Sequence, residues 1–391
     1  MLTRLLKKRE LAQAGDLWDY CFEKREDPFF AWYFSSYCRA ENVLGAFTGG
    51  SLAGMIHLNP YTLLLNRRPI ETPYFVGVAV APQCRGRGVL RALLEAAFKL
   101  LRERGQPLAV LMPSAAGLYL PYGFAYCYQR LSYRLPLPEI GRVFPKTAGF
   151  DFAFAALPDW PLFREVYDQF TRPFNGCAVR GEREWRAVLG EILYKGAGRA
   201  VIAKSAGKVR GYMLYALQES VFRVVELAWL DGEAQAALFG FAGRHFSQCG
   251  HFAWLAPAHD LTCLRFSDSR YYPVALPFMM GRVLDPARAV AALELPMPEG
   301  EVLRVKLSDG VIPENNGVFM MKARGCKAEL SLAAGRPDVA MDIGVFAQLC
   351  FGAYAADDLW LSASIQVESA RGLEILREVF PARKNYINEY F

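Results

Sequence analysis

Residues 78–90 read Val-Ala-Val-Ala-Pro-Gln-Cys-Arg-Gly-Arg-Gly-Val-Leu, and no other stretch limits so closely what this chain can become. An apolar, strand-like run ends at Pro82. Helical periodicity then starts at Val89, with Leu90, Leu93, Leu94, Ala97, Leu100 and Leu101 on one face. Gly105 follows as an αL cap. The connection between strand and helix holds two glycines and two arginines. Gly86 and Gly88 let the backbone approach a ligand with its N–H groups inward. The first helical turn adds unpaired donors and the positive end of the helix dipole. Together they form an anion site suited to a pyrophosphate. Arg85 and Arg87 stand beside it, in reach of a further phosphate. The pattern is not Gly-x-Gly-x-x-Gly, and no Gly-Lys-Ser/Thr follows, which sets aside the dinucleotide fingerprint and the P-loop.

The rest of the chain alternates strands and helices. Apolar runs at 2–7, 43–48, 52–58, 61–66 and 74–81 read as strands, punctuated by Asn, Gly and Pro. Helical spacing covers 9–24 and 89–104. Residues 107–112 form a buried strand, a second helix is expected from near Ala115, and 125–136 alternates as one more strand. Beyond 148 the order recurs: helices at 160–170 and 181–194, strands at 199–204, 209–217 and 221–230, a helix at 233–248 and a strand at 252–256. A third segment opens with Asp285 as N-cap and Pro286 at the first helical position. Strands at 301–307, 317–323, 327–331 and 338–341 follow, then helices at 343–353 and 369–379. With 391 residues the chain is too long for one core. The expected units are 1–148, 149–285 and 286–391, of mixed α/β (α+β) class.

Two motifs carry a family resemblance. Gln83-x-x-Gly86-x-Gly88, after a Val-x-Val strand, resembles the acetyl-CoA motif of the GNAT acetyltransferases. Downstream, Tyr119-Leu-Pro-Tyr-Gly123-Phe124 resembles that family's Tyr-x-x-x-Gly-Phe segment. More narrowly, the whole chain is similar to the Eis-type (enhanced intracellular survival) enzymes, specifically in 76–126 and more loosely elsewhere. The resemblance implies an active GNAT domain, a degenerate GNAT-like domain and a sterol-carrier-like C-terminal domain. It implies acetyl-CoA as co-substrate, held by Val78, Ala79, Val80, Arg85, Gly86, Arg87, Gly88, Val89, Leu90 and Ser114. Tyr119 would be the general acid, with Tyr122 and Tyr126 as core or rim. The C-terminal carboxylate, on Phe391, would be the base, and a homo-oligomer such as a hexamer is implied as well. Gly86 departs from the family pattern, where an arginine is often found.

Chemistry supports the same assignments. A phenol with a pKa near 10 matches the basicity of a leaving thiolate. Of four histidines only His57 lies in the first unit, which leaves few imidazole bases. The terminal Asn-Tyr-Ile-Asn-Glu-Tyr-Phe is unusually apolar for a chain end, so Phe391 is expected to anchor, and burial would raise its carboxylate's proton affinity. Glu23, Glu26, Asp27 and Glu389 are available to attract a cationic amine, with Phe30 and Trp32 as apolar walls. The amine is either an aminoglycoside-like or polyamine-like small molecule or a lysine side chain. A second class of function is a shell that senses acetyl-CoA or lipid without chemistry.

In the second unit, Asp231 and Glu233 occupy the turn where arginines would be needed, so no coenzyme is expected there. His245, Cys249, His251, His259 and Cys263 have no common zinc spacing, and no metal is expected. Nine scattered cysteines without a Cys-x-x-Cys pair fit a reducing compartment. The N-terminus turns charged within seven residues, unlike a signal peptide, and no run approaches a membrane span, so a cytoplasmic protein is expected. The net charge of +6 is spread out rather than clustered, which argues against nucleic acid as a partner.

Overall fold

The computed structural model describes residues 1–145, 147–194 and 198–390. The first part of the chain forms β1 (Leu2–Leu5), α1 (Leu11–Cys21), α2 (Pro28–Trp32), β2 (Val43–Thr48), β3 (Ser51–Asn59), β4 (Thr62–Leu65), β5 (Arg68–Glu71), β6 (Tyr74–Val80), α3 (Val89–Glu103), β7 (Leu108–Leu111), β8 (Ala125–Tyr126), β9 (Gln129–Pro136) and α4 (Leu137–Val143). The middle part forms β10 (Asp151–Phe154), α5 (Trp160–Phe170), β11 (Cys177–Ala178), α6 (Glu182–Tyr194), β12 (Gly198–Ser205), β13 (Lys208–Gln218), β14 (Val221–Trp229), α7 (Gly232–Gly243), β15 (His251–Pro257), β16 (Val274–Pro277) and β17 (Met280–Val283). The last part forms α8 (Pro286–Leu293), β18 (Val302–Ser308), β19 (Gly317–Arg324), β20 (Lys327–Ala333), β21 (Val339–Asp342), α9 (Ile343–Phe351), α10 (Ala356–Leu361), β22 (Gln366–Val367) and α11 (Ala370–Val379).

Two seven-stranded sheets share one plan. The first runs β1-β2-β3-β6-β7-β17-β8 and the second β10-β12-β13-β14-β15-β9-β16. Each has one parallel pair at its centre, β6 with β7 and β14 with β15. A helix crosses over between these parallel partners, α3 in the first sheet and α7 in the second. α3 buries Val89, Leu93, Leu94, Ala97, Phe98 and Leu101, the apolar face read from the sequence, against β2 and β3. A five-stranded sheet, β20-β19-β18-β21-β22, closes the C-terminal part, whose interior is filled by side chains such as Leu303, Met321, Val339 and Phe346. α8 starts as expected: the Asp285 carboxylate accepts from the Arg288 N–H at 3.0 Å.

The sheets exchange strands. The alternating run 125–136 is not one strand: β8 stays in the first sheet, while β9 enters the second. At the crossing, the N–H groups of Cys127 and Tyr128 both donate to the Met279 carbonyl, at 3.0 and 3.2 Å. In return β17, from the middle of the chain, pairs antiparallel with β7 in the first sheet. The helix expected from Ala115 is also absent. Two 3-10 turns, Ala116–Leu118 and Leu120–Tyr122, stand there instead. Gly117 and Pro121 break the helical run, and Gly123 ends it at φ +76°.

Candidate active site

The first sheet opens at its centre. β6 and β7 pair only at Tyr74 with Val110 and Phe75 with Leu111, and the strands part beyond. A bulge lies at the parting: Val76 pairs with His57 and Ala79 with Met55, so Gly77 and Val78 face a single residue of β3. Gly77 takes φ +57°, and a Cβ there would stand 2.5 Å from the Trp18 ring. Only glycine fits, and the bulge turns the backbone of β6 toward the gap. Val78, Ala79 and Val80 then line a cleft of about 570 Å³ together with Arg85, Gly86, Gly88, Val89, Leu90, Ser114 and Tyr119.

At the head of the cleft, Gly86 and Gly88 sit at φ +72° and +76°. A Cβ at either position would meet nothing within 4 Å, so the glycines leave open space rather than make room for protein atoms. The first helical bond of α3 is donated by Ala92 to Gly88 at 3.0 Å. The N–H groups of Val89, Leu90 and Arg91 therefore have no intrahelical acceptor. Arg85 folds back so that its Nε donates to the Val80 carbonyl at 3.2 Å. No carboxylate lines this cleft among the described residues. The donor set fits the diphosphate of acetyl-CoA, and the open edge of β6 fits an extended, amide-bearing arm.

A second cavity, of about 250 Å³, meets the cleft at Phe22, Val78, Ser114 and Tyr119. Its walls are Trp18, Phe22, Phe29, Phe75 and Met112, with Glu23 and Glu191 as the ionisable acids and no basic side chain among the described residues. Glu23 accepts from the Trp18 indole N–H at 2.9 Å. Tyr119 stands where the two spaces join, 6 % exposed, its ring 6.1 Å from that of Phe124. Burial raises its pKa above the ordinary phenol value, so it is protonated at neutral pH.

The tail runs buried between the two large sheets and brings Tyr390 to the wall of this second cavity. Phe391 lies outside the described residues. Glu389 does not line this cavity but lines a neighbouring one of about 170 Å³ that shares Glu191 and Tyr390 with it. Arg180 pairs with it at 2.7 Å and with Glu226 at 2.8 Å, all three side chains at most 1 % exposed. Tyr61 donates to Glu389 at 3.3 Å and Tyr212 to Glu226 at 2.5 Å. Burial and the neighbouring Glu226 push the Glu389 pKa up, although Arg180 opposes them. Burial acts on Glu226 too, but the Arg180 charge and hydrogen bonds from Arg180, Tyr212 and Asn388 hold it below its usual range.

Of the residues singled out from sequence, Val78, Ala79, Val80, Arg85, Gly86, Gly88, Val89, Leu90, Ser114 and Tyr119 meet around one cleft, and Glu23 lies on the adjoining cavity. Arg87 is exposed outside the cleft wall. Trp32 does not line the cavity; its ring packs over Gly190 of α6 and beside Tyr194. Glu191 and Tyr390 were missed. Both come from distant parts of the chain, and nothing local marks them. Among the described residues no three His, Cys, Asp or Glu side chains are grouped to hold a metal ion. No helix among them is long and apolar enough to cross a membrane.

An acetyltransferase (GNAT) domain family matches residues 3–127, a second family of the same description matches 176–283, and a sterol carrier protein domain matches 286–388. No curated protein matches the chain. Among solved structures, a GCN5-related N-acetyltransferase from Anabaena variabilis is 19% identical with TM-score 0.85, each chain covered in full. One from Kribbella flavida is 18% identical, TM-score 0.81, covering 100% of this chain and 98% of its own. Eis1 from Mycobacterium abscessus is 17% identical, TM-score 0.79, both chains covered in full. At such identities these likenesses speak for the fold.

Proposed function

We propose that this chain, which belongs to the GNAT acetyltransferases and has the Eis-type three-domain fold, moves an acetyl group from acetyl-CoA directly to a primary amine while both are bound. One observation carries the reading: a cleft with cationic and N–H donors and a cavity walled by acids and aromatics meet at Tyr119. The first suits a coenzyme diphosphate. The second suits an ammonium group with an apolar body, as in an aminoglycoside-like polyamine or a lysine side chain.

Direct attack needs a base, an oxyanion donor and an acid. The amine nitrogen forms its bond to the acetyl carbon and loses a proton. The C–S bond breaks, and the departing sulfur takes a proton from Tyr119. Bulged backbone at Val78 supplies an N–H toward the carbonyl oxygen. The base is the C-terminal carboxylate on Phe391, a role supported by the placement of Tyr390, its neighbour in sequence, on the cavity wall. The test is release of free CoA thiol when a panel of amines is offered with acetyl-CoA. Cationic primary amines should release thiol at a rate that saturates with amine. No release with any amine, while acetyl-CoA binds, would leave a binding shell without chemistry.

A further inference from the structure

We infer that the second GNAT domain has exchanged coenzyme binding for peptide binding, and that its peptide is the chain's own terminal segment, residues 385–390. The two sheets part in the same way. β14 and β15 pair in parallel from Val221 with His251 to Val224 with Trp254 and then diverge, as β6 and β7 do. β14 also bulges at the parting, since Val224 pairs with Tyr215 and Glu226 with Leu214, leaving Val225 over. In the first domain this device opens the coenzyme cleft. In the second it holds the tail. Asn388 donates its side-chain amide to the Val225 carbonyl at 3.1 Å and to Glu226 at 2.8 Å. Across the gap, Arg130 donates to the Leu255 and Ala256 carbonyls of β15 and, at 2.6 Å each, to the Ile387 carbonyl and the Asn388 side-chain oxygen. Asn388 thus bridges both strands, directly on one side and through Arg130 on the other. The Tyr386 ring packs between Phe170 and Phe174, at 5.9 and 5.3 Å.

The coenzyme's place is closed at the helix as well. Asp231 caps α7, accepting from the Ala234 N–H at 2.8 Å and pairing with Arg210, and so occupies with protein groups the helix start where a diphosphate would sit. The gap is therefore a groove specific for a segment with an asparagine at its fourth position. This role stands whether or not the tail's carboxyl group joins the chemistry, so the tests read binding and not turnover.

In the full-length native chain, carboxypeptidase followed by mass spectrometry should trim beyond Tyr390 slowly. Asn388→Ala, checked for an intact thermal transition, should be trimmed at least tenfold faster. A labelled synthetic peptide of residues 385–391 should bind the full-length Asn388→Ala protein saturably at one per chain, and the same peptide carrying Asn388→Ala at least tenfold more weakly. Calorimetry of the unaltered chain should count one acetyl-CoA per chain, a measurement that stands even where the variant fails to fold. Equal trimming rates, equal affinity of the two peptides, or two coenzymes per chain would each overturn the inference.

Discussion

Gly88→Ala separates the stability of the phosphate turn from its ligand chemistry. Gly88 sits at φ +76°, and an added Cβ meets no protein atom within 4 Å. The stability cost is therefore the left-handed backbone alone, about 1–2 kcal/mol, or a few degrees of Tm. Gly207, in the β12–β13 turn, is a matched control: it too has φ +76° and nothing within 4 Å. Gly207→Ala should cost the same stability. Of the two, only Gly88 lines the cleft, so only Gly88→Ala adds a methyl group beside the first turn of α3. Displacing one charge-assisted hydrogen bond costs about 1.5–3 kcal/mol, which is roughly a 10- to 150-fold loss of affinity. Calorimetry for acetyl-CoA and thermal unfolding of both variants provide the readout. Coenzyme affinity that falls equally in both, or in neither, refutes the placement of the diphosphate beside Gly88.

Tyr119→Phe should lower kcat by about one to two orders of magnitude while acetyl-CoA affinity holds. Because burial raises the Tyr119 pKa above 10, deprotonation of this acid should cause no loss of kcat below pH 10, which a pH–rate profile checks. His57 is buried, and its pKa is lowered to about 3 by desolvation. The unfolded chain binds one more proton there between about pH 6.5 and 3, so stability should fall as pH drops through that window; urea titrations across it should show a shallower slope in His57→Gln. Arg180→Leu leaves two carboxylates buried against each other and should cost about 3–5 kcal/mol in denaturant unfolding. Appending a few residues after Phe391 should abolish turnover and spare coenzyme binding; an extended chain at full rate removes the terminal carboxylate from the mechanism.

What the sequence disclosed follows from how local each feature is. The cleft residues 78–90 lie on one continuous strand–turn–helix, where period and glycine placement determine the backbone, and they fold as read. Tyr119 was legible from its spacing to Gly123, although the helix expected around it is two 3-10 turns. Glu191 was not, because α6 reaches the cavity from another domain and its carboxylate looks like any other on a helix surface. Glu389 was legible as an acid near the site but not as the partner of Arg180, a residue more than two hundred positions away. The run 125–136 hid its crossing for the same reason. Alternation specifies which side chains turn inward and says nothing of which sheet receives them.

The exchanged strands order events during synthesis. The first sheet needs β17 between β7 and β8, and β17 is made long after both. A ribosome delivering roughly 5–20 residues per second thus presents a half-built sheet, its β7 edge bare, for many seconds. Tyr390, on the wall of the second cavity, is made later still, more than a hundred residues after β17, so that wall is missing while the first sheet is being completed.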